Sequence, residues 1–389
     1  MEVNMEIARN VFSVGVRDWN RRLFDALIPL PQGTSYNSYL VVGKEKTALI
    51  DTVNPGFENE LIRNVEEHIN IDTLHYLVMN HAEPDHASAI PVVMNKSKAI
   101  LLTSLKGAEM AKNYYKVPAD RIKAVKEGDE IDLGGKTLRF IDAPFLHWPE
   151  TMFSYLVEDK ILFPCDFFGS HSAFGTYDVD SEDMIPNAKK YFGEIMMPFK
   201  TMGKKAMEKL DKMEIKMIAP SHGPIHKKPE MIMAEYKKWT NGETRKKVLI
   251  AYTSMWGSTE NMVNVLRNSL ISQGVEVCSY NLAVADIGDI AKDLVDCRAV
   301  VLGSPHVLGS VHPLTAYATY LVKALRPPVK YAAFIGSYGW GQGVGKKEVE
   351  LLGQTDIELV GAIEVNGRPS EEDFAKVIEL AHSLCAKLG

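Results

Sequence analysis

The run His81-Ala82-Glu83-Pro84-Asp85-His86 places four potential metal ligands within six residues. It follows the strand-like stretch 73–80 and precedes small residues that open a helix, a setting that packing alone does not explain. Pro84 stiffens the loop and helps keep several donors aimed at one place. Further donors lie just past the carboxyl ends of other apolar stretches: His147 after 136–144, Asp166 after 160–165, and His222 in the Ser221-His222-Gly223 turn after 216–220. Loops at matching ends of neighbouring strands converge, so His81, Glu83, Asp85, His86, His147, Asp166 and His222 can meet. Seven donors are too many for one tetrahedral zinc; they suit two metals, with Asp166 bridging through both carboxylate oxygens. Four imidazoles and three carboxylates without a thiolate fit a redox ion such as iron better than a sulfur-rich zinc site. Taken singly, His147 and His222 read equally well as hydrogen-bonded structural histidines; their shared placement favours ligation. Asp51, after the run TALI, is a weaker candidate for orienting a ligand imidazole. Cys165 is expected, by strand alternation, to point away from Asp166 as a packed thiol. His68, His75 and His226 lack the strand-end placement.

A second set of residues suits an anion. Ser254-Met255-Trp256-Gly257-Ser258-Thr259 follows the apolar run 247–253 and opens a helix. Hydroxyls and backbone amides at a helix N-terminus can hold a phosphate, and Gly257 allows close approach. A capping box with Glu260 is the plainer reading of the same residues. The lysine of a nucleotide-hydrolysing P-loop is missing. Two later loops follow strands at the same sheet edge: Ser304-Pro305-His306-Val307-Leu308-Gly309 and Ser337-Tyr338-Gly339-Trp340-Gly341-Gln342-Gly343. Tyr338 and Trp340 can cover a planar ring while the glycines expose amides to its polar edge, although either aromatic alone fits packing or surface equally well.

The elements that must position these residues differ between the two parts of the chain. From about Lys246, short β-branched runs alternate with longer amphipathic stretches, which predicts parallel βαβ units and a doubly wound sheet of five strands. The first 235 residues begin with strand-like runs and short turns and become helical later, predicting a layered α+β arrangement. The polar stretch 236–246 reads as the linker, and Lys200–Lys216 as an amphipathic helix without a functional role. The 389 residues are 46% apolar and 24% charged, which excludes a disordered or fibrous class. A formal charge of −6, with neither part basic, disfavours nucleic-acid binding. The four cysteines form no C-x-x-C pair, the N-terminus lacks the apolar stretch of a signal peptide, and no apolar run approaches the ~18 residues of a membrane span. A cytoplasmic protein with no membrane segment is expected.

H-x-E-x-D-H at 81–86, LHWPETMFSYL around His147, the strand ending in Cys165-Asp166 and PSHG at 220–223 resemble the metallo-β-lactamase-like domain of flavodiiron proteins. The later loops resemble the FMN domain of flavodoxins, and the domain order matches flavodiiron proteins over nearly the whole chain. The resemblance implies an αββα sandwich over residues 1–245, followed by a flavodoxin-like doubly wound parallel sheet over 246–389. Hydrolytic, zinc-binding members of the superfamily usually carry H-x-H-x-D-H, whereas Glu83 stands here at the second histidine. Carried over by residue, His81, Glu83 and His147 bind one iron, Asp85, His86 and His222 the other, and Asp166 bridges.

The same resemblance implies FMN and two iron ions per chain, with reduction of dioxygen to water or nitric oxide to nitrous oxide. His171 and Tyr191 become candidate proton donors, with structural roles equally in view. Asp25 stands where many members have a histidine, which leaves the choice of gas open. Without a C-x-x-C module, electrons are expected from a separate donor, a rubredoxin or a reduced deazaflavin coenzyme. A head-to-tail homodimer, or a dimer of such dimers, is implied. The competing readings are a zinc hydrolase fused to a flavodoxin-like module and an electron carrier with a non-catalytic first domain. Glu83 argues against the former and the full ligand set against the latter.

Overall fold

The computed structural model describes residues 4–180, 182–353 and 355–389. They form two compact units, one of the described residues up to Phe192 with Phe199–Lys237, the other of Gly193–Pro198 with Lys238–Gly389.

In the first unit, a seven-stranded sheet runs in the order Met5–Ala8, Val11–Ser13, Tyr39–Val42, Thr47–Ile50, Tyr76–Val78, Ile100–Ser104, Ile122–Val125. Its register aligns Leu40, Leu49, Leu77 and Leu101 in one row across four strands. Because successive side chains alternate faces, that row meets Leu61, Ile62, Val65, Ile90, Val93 and Ala111 of the covering helices. The next row, Ile50, Val78 and Leu102, points the other way and packs on Leu138, Phe140, Met152, Leu156 and Phe163. Those belong to a five-stranded sheet in the order Glu130–Asp132, Thr137–Asp142, Met152–Leu156, Ile161–Phe163, Met217–Ile218. Both faces of Thr47–Ile50 are covered, and all four of its residues are buried.

Strand direction fixes which edge carries the loops. Thr137–Asp142 and Ile161–Phe163 each run antiparallel to Met152–Leu156, while Met217–Ile218 is parallel to Ile161–Phe163. The loops bearing His147, Asp166 and His222 therefore leave from one edge. A hydrogen bond from the Met152 amide to the Asn80 carbonyl, 3.0 Å, joins that edge to the end of Tyr76–Val78 in the other sheet.

The second unit holds a parallel sheet in the order Glu276–Asn281, Lys247–Tyr252, Ala299–Val307, Tyr331–Tyr338, Glu358–Asn366. Val248, Ile250, Val301, Ala333 and Ile335 on one face pack against Ser258–Ser272 and Glu371–Leu388 through Met262, Leu266, Leu270, Val377, Ala381 and Leu384. Numbered along the chain, the strands stand 2-1-3-4-5, the doubly wound order whose reversal lies beside the first strand.

Several expected bounds change, among them the loop 337–343, whose first two residues close the strand Tyr331–Tyr338. Residues up to Asn241 belong to the helix Pro229–Asn241 rather than to a linker. Its buried positions Ile232, Tyr236, Trp239 and Thr240 keep helical spacing, which a window opening at 236 cuts in half. Residues 304–307 continue the strand Ala299–Val307, and the chain turns at Leu308 and Gly309, φ 52° and 74°, into Ser310–Val311. The amphipathic helix expected over Lys200–Lys216 spans Lys200–Leu210, burying Gly203, Ala206, Met207 and Leu210, and the chain turns from Asp211. Among the described residues no helix is long and apolar enough to cross a membrane.

Candidate functional site

The loop after Tyr76–Val78 presents His81 and Glu83, and the short helix Pro84–Ala87, started by proline at its first position, turns Asp85 and His86 to the same side. The seven donors divide around one carboxylate. Asp166 Oδ2 lies 3.4 Å from His81 Nε2 and 3.7 Å from His147 Nε2, and Glu83 Oε2 lies 3.2 and 2.9 Å from those nitrogens. Asp166 Oδ1 lies 2.9 Å from His86 Nε2 and 3.5 Å from His222 Nε2, with Asp85 oxygens 3.4 and 3.2 Å from the same two nitrogens. Each oxygen of Asp166 thus faces its own donor set.

These atoms fit metal ions rather than one another. The oxygens of Asp85 and Asp166 and the Nε2 atoms of His86 and His222 are buried without a hydrogen bond of ordinary geometry among the described residues. Such burial is costly unless a cation or proton compensates. Protons do so in the absence of metal. Burial alone would lower His86, but the charges of Asp85 and Asp166 push it up to about 9. His81, buried too, is held well above the usual histidine range by hydrogen bonding to Glu150 and Glu83. Against burial, His86 and His81 drive Asp166 well below the carboxylate range.

The surroundings orient the rings. His222 Nδ1 donates to the Ser35 carbonyl at 2.7 Å, leaving Nε2 for the centre. Glu150 Oε1 lies 2.7 Å from His81 Nδ1 and accepts the Ala82 amide at 2.9 Å, doing the same for His81. The sequence assigns no orienting role to Glu150, which follows His147-Trp148-Pro149; its signal is a carboxylate two residues ahead of the fully buried strand Met152–Leu156. Asp51 was expected to orient an imidazole. It instead accepts the Asn80 amide at 2.8 Å and Asn80 Nδ2 at 3.1 Å, fixing the residue before His81. Cys165 is the packed, buried thiol expected, but it does not point away from Asp166: with φ 50° it lies beyond Phe163, where strand alternation no longer applies, and its sulfur can join a donor group with His86 and Asp166. Burial pushes the thiol well up, and it accepts the Ser221 hydroxyl at 3.2 Å.

His171 and Tyr191 stand behind His222. The His171 ring is 4.9 Å from that of His222 and 4.8 Å from that of Tyr191, and its Nδ1 lies 3.0 Å from Thr34 Oγ1. Burial and the neighbouring His222 push His171 well down, while burial pushes Tyr191 well up. Asp25 occupies the turn between Leu23–Phe24 and Ile28–Pro29 at φ 49°. Incomplete solvation and the charge of Glu83 raise its carboxyl. His226 is structural, with Nε2 2.9 Å from the Phe168 carbonyl.

In the second unit, three neighbouring parallel strands end at one edge, so the three expected loops adjoin. Gly257, φ 88°, caps Ser258–Ser272, and Met255 and Trp256 are exposed, Trp256 by 89%. Ser254 Oγ accepts the Glu260 amide at 3.3 Å, whereas Thr259 is buried and its hydroxyl lies 2.9 Å from Ser337 Oγ, tying two loops together. Trp340 is 79% exposed, too open to be core. His306 Nδ1 lies 3.1 Å from the Trp340 carbonyl, and a Cβ on Gly341, φ 83°, would come within 2.6 Å of the His306 ring. Tyr338 OH accepts from Gln342 Nε2 at 2.8 Å, and the Gly343 amide donates to Glu364 at 2.8 Å. An open helix start flanked by exposed indoles suits a phosphate attached to a flat ring.

Residues 34–223 match the family described as ODP family beta lactamase. The chain is 37% identical to a nitric oxide reductase of Moorella thermoacetica, over 100% of both chains. The solved structure of rubredoxin oxygen:oxidoreductase from Desulfovibrio gigas superposes with a TM-score of 0.95 at 29% identity, covering 99% of this chain and 98% of that one. The flavodiiron protein from Giardia intestinalis does so with a TM-score of 0.89 at 28% identity, with the same coverage. The chain belongs to the flavodiiron protein family.

The flavodiiron fold accounts for both units, a metallo-β-lactamase-like αββα sandwich and a flavodoxin-like doubly wound sheet. Two donor sets facing the two oxygens of one aspartate, and three loops meeting at one edge of a doubly wound sheet, are what a flavodiiron chain requires of its residues.

Proposed function

We propose that the protein reduces dioxygen to water or nitric oxide to nitrous oxide at a di-iron site, with electrons passed through FMN from a separate donor. The observation that carries this reading is Asp166, whose two oxygens each face a separate nitrogen and carboxylate set. Iron and FMN, when bound, supply one-electron redox chemistry, open coordination positions and storage of two electrons. Residues 1–245 would hold the metals through His81, Glu83, His147, Asp85, His86 and His222, with Asp166 serving both sets. Residues 246–389 would hold FMN, through the helix start 254–258 for the phosphate and the loops 304–309 and 337–343 for the ring.

His171 and Tyr191 are the groups proposed to handle protons. Tyr191 keeps its proton at neutral pH and can act as a hydrogen-bond donor; neutral His171, with Nε2 unpartnered among the described residues, can accept or pass a proton. The donor is a rubredoxin or a reduced deazaflavin coenzyme in the cytoplasm. Two chains pair head to tail, flavin of one to metals of the other, and such dimers pair again; restoration of activity on mixing an FMN-free variant with an iron-free variant tests that pairing. The hydrolase reading gains no support, because Glu83 and the whole-chain relatives point to redox chemistry.

Metal and flavin analysis of protein purified without added ions tests the assignment. About two irons and one FMN per chain are expected; zinc in both positions would overturn it.

A further inference from the structure

Glu348 lies in the helix Val344–Leu352, which begins where the loop 337–343 ends, and it is 1% exposed. Its Oε2 is 2.7 Å from Thr319 Oγ1, and its Oε1 is buried without a partner among the described residues. Thr319 Oγ1 also donates to the Thr315 carbonyl at 2.8 Å. One hydroxyl hydrogen cannot serve both acceptors. If it goes to Thr315, the contact with Glu348 is a hydrogen bond only when Glu348 carries the proton and donates it.

The chain of contacts continues. Thr315 Oγ1 lies 3.2 Å from the Gly303 carbonyl and 3.0 Å from Thr253 Oγ1. Thr253 immediately precedes the loop 254–259, Gly303 precedes 304–309, and Glu348 sits one turn into the helix after 337–343. The contacts therefore join the bases of all three loops.

We infer that Glu348 is a neutral carboxylic acid that positions the three loops of the flavin crevice through Thr319, Thr315 and Thr253, and that its ionisation loosens the crevice and weakens FMN binding. The inference rests on the FMN reading above for its ligand, but not for its protonation state. Burial pushes Glu348 up to about 7, with the Thr319 hydrogen bond opposing. Titratable groups on the elements packed against its helix are Tyr317, Tyr320 and Lys323 on Pro313–Leu325, His306 on Ala299–Val307, Tyr331 and Tyr338 on Tyr331–Tyr338, and Glu358 and Glu364 on Glu358–Asn366. Lys346, Lys347 and Glu350 share its own helix. Burial and Thr319 account for the shift without a charge from any of them.

Glu348→Gln mimics the neutral acid, since its amide can donate to Thr319. FMN affinity is measured by quenching of flavin fluorescence on flavin-free full-length protein, native and variant, from pH 6 to 9. The FMN phosphate titrates near ~6 in both, so the native-to-variant ratio is the readout. The native protein should lose affinity several-fold relative to the variant as pH rises. Thermal midpoints are measured alongside without flavin. A carboxyl raised in the folded state costs nothing below its unfolded value, ~4.3, and penalises folding increasingly from there until pH passes its folded value. The variant should therefore come nearest to the native midpoint at pH 5 and exceed it most at pH 8. Parallel affinity profiles, or a variant less stable at both pH values, would overturn the inference. If neither protein binds FMN while the midpoints diverge as expected, the flavin reading and the loop-positioning role fail together, and the neutral-acid assignment stands.

Discussion

At the scale of single residues, the centre depends on groups that hold its ligands as much as on the ligands. Glu150 has no access to solvent and fixes the ring of His81 through Nδ1, leaving Nε2 as the donor. Removing such a partner typically lowers metal affinity ~10–100-fold. Glu150→Gln should retain the fold and most of the Ala82 contact, yet weaken metal binding by about that factor. Competition against a chelator of known affinity measures it, and unchanged affinity would remove Glu150 from the site. Protons compete for the same donors. With His86 held at about 9, the metal-free protein carries a proton there at pH 7, and binding must displace it. Metal affinity should rise with pH towards that value, and calorimetry in two buffers of different ionisation enthalpy should report proton release. The stability His86 contributes to the metal-free protein is complete below its unfolded value, ~6.5, and fades as pH rises through 9. Binding without proton release would contradict this electrostatic account.

At the scale of elements, loops at strand ends carry the chemistry and conformation decides what they can do. Gly257 shows how. A Cβ there would meet nothing within 4 Å, so crowding in the flavin-free protein does not require glycine; its φ of 88° does. A left-handed conformation costs an ordinary residue ~1–2 kcal/mol, and β-branching makes it worse. Gly257→Val should shift the helix start, lose FMN and keep metal, as flavin absorbance and metal analysis on the same sample would show. Retained flavin would place the phosphate elsewhere. Strand-end placement makes the convergence of all seven candidate donors legible in sequence, because residues at the edges of adjoining strands come together. Glu150 escaped because a lone carboxylate before an apolar strand looks like a turn residue. Sequence spacing does not tell which hydroxyl of a helix's first turn points inward, and that of Thr259 meets Ser337. The helix Pro229–Asn241 was truncated because its buried positions straddle the apparent onset of polar sequence.

At the scale of the whole chain, alternation of short β-branched runs with amphipathic stretches was enough to identify the doubly wound sheet, since each parallel connection needs a helix. The αββα unit was less legible, because its strands are as short as Met217–Ile218 and pair across long stretches of sequence. Its assignment came from the ligand motifs. The proposed reaction is reduction of a diatomic gas by a pair of redox ions that Asp166 would share and FMN would feed. Gas-electrode recording of full-length protein loaded with FMN and either iron or zinc, given a reduced rubredoxin or deazaflavin donor, tests it most directly. The account predicts rapid consumption of nitric oxide or dioxygen by the iron-loaded protein and none above background by the zinc-loaded protein or by iron-loaded Asp166→Ala. Equal consumption with zinc, or none with iron and FMN both bound, would contradict it.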